Sequence, residues 1–258
     1  MNINEKLNME EKRKNTALKN VLVVMLIFFI SQMIGSVIAC VCPTISMLGV
    51  SMIIASLCSV GALAWLNKLD LKQEFSKGLI QGKWVLYVFV MIELCSIALN
   101  IMMEQINLTD MLEGKVTLLV ENVWGLLAVC VVGPIAEELI FRGAICGMML
   151  RRGSNPLLAI CVSAVIFGLI HFNPAQIPFA ICLGVILGLI YYKTQSVIPV
   201  CLLHIFNNSL SAFMMNSDDA RTFTELLGHS VATYVMLMGI VISCCMAVYY
   251  WKKHSVRS

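Results

Sequence analysis

Charged side chains are scarce in this sequence. Only 13% of its 258 residues are charged, whereas 59% are hydrophobic, and the mean hydropathy is +0.87. A soluble globular domain carries charges at about a quarter of its positions. The composition therefore predicts a protein that lies in a lipid bilayer, and the net charge of +3 is no signature of nucleic-acid binding.

Several familiar chemical signatures are also missing. The eleven cysteines show no spacing typical of a metal site or a disulfide framework. They fall in or beside apolar runs, where a thiol acts as a small hydrophobic group. The sequence has no H-E-x-x-H motif and no clearly placed serine or cysteine nucleophile. These absences leave the few polar residues within apolar runs as the candidates for chemistry.

Eight apolar runs are long enough to cross a bilayer, which takes about 17–25 residues. The predicted fold class is therefore an all-α membrane bundle of about eight transmembrane helices. Seven spans are the alternative, because the fifth and sixth runs are short and separated only by NPAQIP. The runs lie roughly at residues 19–42, 46–66, 84–103, 117–150, 156–172, 175–192, 196–215 and 231–251.

The whole chain, residues 1–258, is interpreted as a single integral-membrane domain. Within it, residues 1–116 hold spans 1–3 and their loops, residues 117–215 hold spans 4–7, and residues 216–258 hold an outer loop and span 8. The first run is interpreted as an anchor helix rather than a cleaved signal peptide, because no small-residue cleavage site follows it.

Positive charge divides unevenly between the predicted loops. With the N-terminus inside, fifteen of the 18 Lys and Arg residues fall in inner segments, two (Lys115 and Arg221) fall in outer loops, and Arg142 falls within a span. Cytoplasmic loops collect Lys and Arg. Both termini are therefore predicted to be cytoplasmic.

Two further features concern the arrangement of the helices. The linker at residues 67–83 mixes charges of both signs and is interpreted as an interfacial amphipathic helix. Glycines recur four residues apart, which lets helices approach closely in lipid. These pairs, Gly143 with Gly147 and Gly184 with Gly188, predict close packing within the molecule.

Strongly polar residues of the later spans lie in or beside three short strings. The strings are EELIFR at residues 137–142, FGLIH at 167–171 and HIFNN at 204–208. A charged side chain at the bilayer centre costs at least a few kcal/mol, so such residues are functional candidates. The polar residues are Glu137, Glu138, Arg142, His171, Asn173, His204, Asn207 and Asn208.

Helical spacing assigns these side chains to faces. Residues four apart share a face of a helix, so Glu138 and Arg142 are predicted to form an ion pair. Glu137 points elsewhere and lacks that partner. His204 and Asn208 are also four apart and project to one side.

The three strings are predicted to lie at similar depths in the membrane, so their side chains can come together. At a rise of 1.5 Å per residue, the hairpin of spans four and five puts Glu137 and His171 at one level. His204 and Asn208 reach the same depth within about one helical turn. Proline inside a helix removes a hydrogen bond and usually kinks the helix, so Pro134 is predicted to open a polar cavity beside the glutamates.

This set of groups suits hydrolysis of an amide bond. A carboxylate and a histidine can hold and deprotonate one water molecule, and a second histidine and an asparagine can donate to an oxyanion. Two neutral histidines and one carboxylate also make a catalytic zinc set, so the prediction of no cofactor has zinc as its alternative. Taken singly, each group could instead be an ion pair or a hydrogen bond between helices.

The three strings together resemble the CPBP group of intramembrane proteases, also called the CAAX-protease and bacteriocin-processing, or Abi, family. The pattern of that family is EExxxR, then FxxxH, then HxxxN/D. The resemblance covers about residues 120–215. It implies an eight-helix membrane fold and a glutamic endopeptidase, with a metalloprotease as the alternative mechanism.

The resemblance also implies a role for each motif residue. The first glutamate of EELIFR and the histidine of FGLIH would activate the attacking water. The histidine and the last asparagine of HIFNN would hold the oxyanion, while the second glutamate and the arginine of EELIFR would support the site. The implied catalytic residues are Glu137, His171, His204, Asn208, Glu138 and Arg142.

The predicted partners are a peptide or lipidated peptide substrate and the lipid bilayer, with no nucleic acid and an undetermined oligomeric state. The predicted location is the bacterial cytoplasmic membrane, and the predicted role is bacteriocin self-immunity, leader cleavage or signalling-peptide processing. Two alternatives lie outside proteolysis. One is an ion-coupled transporter, because broken helices and mid-membrane acids also mark transport sites. The other is a non-catalytic bacteriocin immunity protein.

Overall fold

The computed structural model describes residues 3–76, 83–106, 108–112, 114–216 and 222–254. Within these ranges every regular element is a helix. In chain order the helices are α1 Ile3–Val41, α2 Ile45–Trp65, α3 Leu71–Ser76, α4 Lys83–Ile106, α5 Lys115–Val120, α6 Val123–Arg151, α7 Pro156–Leu169, α8 Ile177–Thr194, α9 Ile198–Met215, α10 Phe223–Leu227 and α11 His229–His254.

Seven helices in the described part of the chain are long and apolar enough to cross a bilayer. They are α1 over Asn15–Val41, α2, α4 from Leu86, α6, α8, α9 and α11 over His229–Met246. The chain is therefore an all-α, multi-pass membrane protein, as the composition predicted.

The predicted fifth span is shorter than expected. Helix α7 has 14 residues, which is about 21 Å of helix against a hydrocarbon core of about 30 Å. It ends at Leu169 rather than residue 172, because Phe172 has a φ of 50° and cannot continue the helix. The predicted fourth span is also divided. A break at residues 121–122 separates α5 from α6, and Asn122 caps α6 by accepting the N–H of Trp124.

Three predictions about organisation stay predictions: the single domain, its three-part division, and the cytoplasmic position of both termini. The described part of the 67–83 linker contains α3. Residues 77–82 of that linker, and residues 217–221 of the outer loop with Arg221 among them, lie outside the described residues.

Helix α6 lies at the centre of the bundle. All eight residues of Leu139–Cys146 are buried, and α1, α2, α7 and α8 contact this segment. The string EELIFR therefore lies inside the protein rather than against lipid.

Close helix packing appears at the predicted glycines of α8. A Cβ atom added to Gly184 would lie 3.0 Å from the Cβ of Ala164, and one added to Gly188 would lie 2.9 Å from Cγ2 of Ile160. Both contacts are with α7. The prediction of close packing within the molecule is confirmed for this pair.

Helix α3 is fixed to the bundle by the buried carboxylate of Glu74, which is 1% exposed. Arg151 donates to this carboxylate at 3.0 Å and the Tyr191 hydroxyl donates at 2.9 Å. Arg151 also donates to the carbonyl of Gly143 at 3.2 Å, and the N–H of Val197 donates to the Glu74 carbonyl at 3.3 Å. The cluster therefore joins α3 to α6, α8 and the start of α9. Burial raises the pKa of Glu74, although Tyr191 and Arg151 act in the opposite direction.

Candidate active site

Helix α6 departs from regular α-helical geometry on both sides of the paired glutamates. Ala128–Val132 and Leu139–Cys146 are π-helical, and Gly133–Glu138 between them is α-helical. Wider π turns inside α-helices are frequent at functional sites. The disturbance expected from the proline therefore appears as the π segment Ala128–Val132, and a second π segment follows the glutamates.

Pro134 leaves one carbonyl of this helix without a backbone donor. The N–H of Gly133 donates to the carbonyl of Ala128, five residues back. In the same register Val129 would accept from residue 134, but proline has no N–H. The side-chain amide of Asn208 donates to the Val129 carbonyl instead, at 2.9 Å. The proline thus creates the acceptor that holds Asn208 against α6.

Glu138 and Arg142 form the predicted ion pair. Nη1 of Arg142 lies 2.9 Å from Oε1 of Glu138, and neither side chain is exposed. Nη2 of Arg142 donates to the carbonyl of Gly184 at 3.2 Å. The guanidinium carbon lies 4.6 Å from the centre of the Phe167 ring, within the range of a cation–π contact. These contacts compensate the two buried charges, which would otherwise be strongly destabilising.

His204 lies between the two glutamates. Its Nδ1 is 2.8 Å from Oε1 of Glu138, and its Nε2 is 3.7 Å from Oε2 of Glu137. An ionised carboxylate only accepts hydrogen bonds, so Nδ1 carries the proton and donates it to Glu138. This bond fixes the orientation of the ring and turns Nε2 toward Glu137. No local sequence pattern predicts this bond, because the two residues are 66 positions apart.

His171 lies just beyond the end of α7 rather than within the helix. Its Nδ1 is 2.9 Å from the carbonyl oxygen of Phe167. A carbonyl can only accept, so Nδ1 carries the proton and Nε2 of the neutral ring keeps its lone pair. Phe167 also packs edge-on against both imidazoles, with ring centres 5.1 Å from His171 and 5.7 Å from His204. One phenyl ring therefore supports both histidines.

Four of the predicted site residues line one cavity of about 740 Å³. They are Glu137, His171, His204 and Asn208. Glu137 is 27% exposed and faces this space. Glu138 and Arg142 do not line the cavity and lie behind His204. No hydrogen bond joins Glu137 to His171 in the described part of the chain, although both side chains line this cavity.

Asn207 belongs to the same polar group, although the family resemblance implies no role for it. It lines the cavity and is buried. Its Oδ1 accepts a hydrogen bond from the Ser96 hydroxyl of α4, and its Nδ2 donates to Oδ1 of Asn208 at 3.3 Å. Asn207 therefore turns the oxygen of the Asn208 amide toward itself and the NH₂ group toward Val129.

The described residues contain no group of three His, Cys, Asp or Glu side chains that could hold a metal ion. The zinc alternative would require Glu137 and both histidines to act together. Independence of a cofactor stays a prediction, and chelation is its test.

Residues 119–210 match the family described as type II CAAX prenyl endopeptidase Rce1-like. The putative membrane peptidase YdiL of Bacillus subtilis (strain 168) is 28% identical over 95 residues, which are 37% of this chain and 38% of that protein. The membrane-embedded CAAX protease MroQ of Staphylococcus aureus (strain USA300) is 25% identical over 170 residues, which are 62% of this chain and 68% of that protein. No solved structure matches the chain.

The matched segment runs from the end of α5 into α9 and contains all three polar strings. The relatives are bacterial membrane proteins, in agreement with a multi-pass protein of a bacterial cell membrane. Residues 119–210 thus match the Rce1-like CAAX-protease family, which confirms the resemblance carried by the three motifs.

Proposed function

We propose that this protein is an intramembrane endopeptidase that hydrolyses a peptide bond with a water molecule activated by Glu137. The observation that carries the proposal is the contact between Glu137 and His204, 3.7 Å apart, in a cavity that His171 and Asn208 also line. The Rce1-like segment supports the same activity.

The attacking water lies between Glu137 and His171 in this proposal. The Glu137 carboxylate accepts one proton of the water, and the free Nε2 of His171 accepts a hydrogen bond from the other. Such positioned proton transfer contributes about 10²- to 10⁴-fold. The oxygen attacks the peptide carbonyl carbon, the tetrahedral intermediate collapses, and the proton held by Glu137 passes to the leaving amine.

Asn208 and His204 stabilise the oxyanion in this proposal. One N–H of Asn208 donates to Val129, which leaves the second N–H of the same NH₂ group for the cavity. When His204 is protonated, its Nε2–H is a second donor, while Nδ1–H remains bound to Glu138. Arg142 balances the charge of Glu138, so the histidine is held in one orientation throughout the reaction.

The walls of the cavity suggest an apolar substrate. Most of the residues around the polar group are hydrophobic and come from α1, α2, α5, α8 and α9; examples are Phe28, Leu48, Met52, Val116 and Phe179. Such a cavity suits a hydrophobic or lipidated peptide segment. We propose a small peptide or leader as the substrate, in bacteriocin or signalling-peptide processing or in self-immunity.

The experiment is a cleavage assay on the purified protein in detergent, with leader and prenylated peptides analysed by mass spectrometry. His171→Ala and His204→Ala are each expected to lower the cleavage rate at least about 100-fold. His229→Ala is the matched control, because that histidine is exposed on α11 and outside the cavity. If His171→Ala and His204→Ala both cleave as fast as wild type, the proposal fails.

The same assay separates the mechanisms. A water mechanism carried by protein groups predicts full activity after treatment with a membrane-permeant chelator. Loss of activity on chelation, with recovery on zinc, would replace it with metal catalysis. A non-catalytic immunity protein would protect cells even with Glu137→Gln, whereas the proposed protease would not.

A further inference from the structure

Asn173, two residues after His171, is completely buried and links three segments of the chain. Its Nδ2 donates to Oδ1 of Asp110 at 2.7 Å, and its Oδ1 accepts the N–H of Met111 at 3.1 Å. Its backbone carbonyl accepts two N–H groups from the start of α8, at 2.9 and 3.0 Å. The hydrogen bonds proposed for catalysis use none of these groups.

The turn between His171 and Asn173 is strained. Phe172 has a φ of 50°, a left-handed conformation that costs a residue other than glycine about 1–2 kcal/mol. Its side chain is 69% exposed, and its ring centre lies 6.4 Å from that of Phe29, so its own packing contributes little. Strained conformations persist only where the surrounding contacts fix them. Here the N–H groups of His171 and Phe172 donate to the last turn of α7, and Asn173 fixes the other side of the turn.

Asp110 and Met111 belong to a segment that we call the strap, defined as residues 108–112 and 114–120 between α4 and α6. The Asp110 carboxylate also accepts the N–H of Leu112 at 2.8 Å, so it fixes the strap and Asn173 together. The strap forms one wall of the cavity that His171 lines. Its lining residues are Leu112, Lys115, Val116, Leu119 and Val120.

We propose that Asn173 is a positioning residue for His171, and that it couples the strap to the direction of the imidazole. The inference rests on the proposed function, in which His171 helps to activate water. A peptide in the cavity contacts the strap, and the strap acts on the His171 turn through Asp110 and Asn173. His171 therefore takes its working orientation only while the strap is in place.

The contact can be broken and then rebuilt with its direction reversed. Asn173→Asp replaces the donor with a second carboxylate beside Asp110, so the bond is lost and two anions repel. Asp110→Asn is the matched single change, because it keeps an acceptor for Asn173 and for Leu112. The double variant Asn173→Asp/Asp110→Asn restores a donor and an acceptor, and it keeps an acceptor for the N–H of Met111.

The first measurement does not require the protein to cleave a peptide. Diethyl pyrocarbonate reacts with neutral imidazoles, and mass spectrometry gives the rate at each histidine. In Asn173→Asp the rate at His171 is expected to change at least about threefold, because the turn opens locally. The exposed His229 should react as in wild type in every variant. In Asp110→Asn and in the double variant, the labelling rate at His171 should lie within about twofold of the wild-type rate.

The second measurement compares peptide cleavage by the wild-type protein and by the variants. Asn173→Asp is expected to lower kcat about tenfold with little change in KM, since a small misplacement of a catalytic group is costly, and the double variant should recover most of the loss. If Asn173→Asp fails to fold, Asp110→Ala, which leaves the bond to Met111, should change the His171 labelling rate in the same direction.

The two proposals fail in different ways. If the wild-type protein cleaves no peptide, the proposed function fails while the labelling result still decides the coupling. Equal labelling of His171 in wild type and in every folded variant would overturn the role of Asn173.

Discussion

Asn208 donates to the carbonyl of Val129 at 2.9 Å, in the position that the N–H of residue 134 would otherwise occupy. The proline of the GPIAEE sequence therefore has a role beyond bending the helix. It keeps one acceptor of α6 open for a side chain of α9, and it thereby places the amide proposed to hold the oxyanion.

Pro134→Ala is expected to supply the missing N–H and compete with Asn208 for Val129. The released amide would lose its orientation, so kcat should fall about tenfold while the free energy of unfolding stays near that of wild type. The measurement is cleavage kinetics together with thermal unfolding in detergent. Pro156→Ala, at the first residue of α7, is the control and should retain full activity. Unchanged kinetics for Pro134→Ala would show that Asn208 needs no vacant acceptor.

Arg142→Met is expected to destabilise the protein by about 3–5 kcal/mol, because it leaves the Glu138 carboxylate buried without a cation. The double variant Glu138→Gln/Arg142→Met removes both charges and should recover much of that loss, while cleavage stays low because His204 loses its ionised partner. The check is unfolding of the wild type and both variants under identical conditions. A single variant as stable as wild type would contradict the pairing described for the core.

The stability of α3 docking should depend on pH through Glu74. Its pKa is raised by burial above the ordinary value of 4.5, so the folded protein binds this proton more tightly than the unfolded chain does. The free energy of unfolding therefore falls as pH rises from about 4.5 through the raised value. Glu74→Gln lacks this titration, so its stability relative to wild type should increase over that window and then level off.

Gln73→Ala, a change between two uncharged residues on α3, serves as the control for Glu74 and should show no such trend. The same unfolding measurements at several pH values give both curves. A relative stability of Glu74→Gln that decreases as pH rises would mean that Arg151 and Tyr191 outweigh burial.

The left-handed conformation of Phe172 predicts which of two substitutions at this position gives the more stable protein. Phe172→Gly is expected to be more stable than Phe172→Val by about 1 kcal/mol or more, because a β-branched residue tolerates positive φ poorly. At Leu158, an exposed helical position in α7, the same two substitutions should show the reverse order. Thermal unfolding of the four variants decides the point. If the glycine and valine variants had the same order of stability at both positions, the turn after His171 would not be strained.

The spans and the polar strings could be predicted from the sequence because hydropathy and helical spacing are local signals. The Glu138–Arg142 pair is such a case, since four residues separate the partners on one helix. The runs of apolar residues likewise located seven membrane-spanning helices to within a few residues.

The remaining contacts depend on tertiary structure. The bond between His204 and Glu138 spans 66 positions, and the bond between Asn173 and Asp110 spans 63. Nothing local in the sequence indicates either bond. The predicted end of α7, residue 172, lies beyond the observed end at Leu169 for a related reason. A phenylalanine is a poor signal for a left-handed turn, and the contacts of Asn173 that help to fix this turn are tertiary.

The proposed mechanism depends most on Glu137 as the acceptor of the water proton. The direct measurement is kcat for a cleaved peptide with wild type, Glu137→Gln and the exposed control Glu121→Gln, each shown to be folded. Glu137→Gln is expected to lower kcat at least about 1,000-fold, while Glu121→Gln leaves it unchanged. A Glu137→Gln protein that cleaves within about tenfold of wild type would contradict the proposed mechanism.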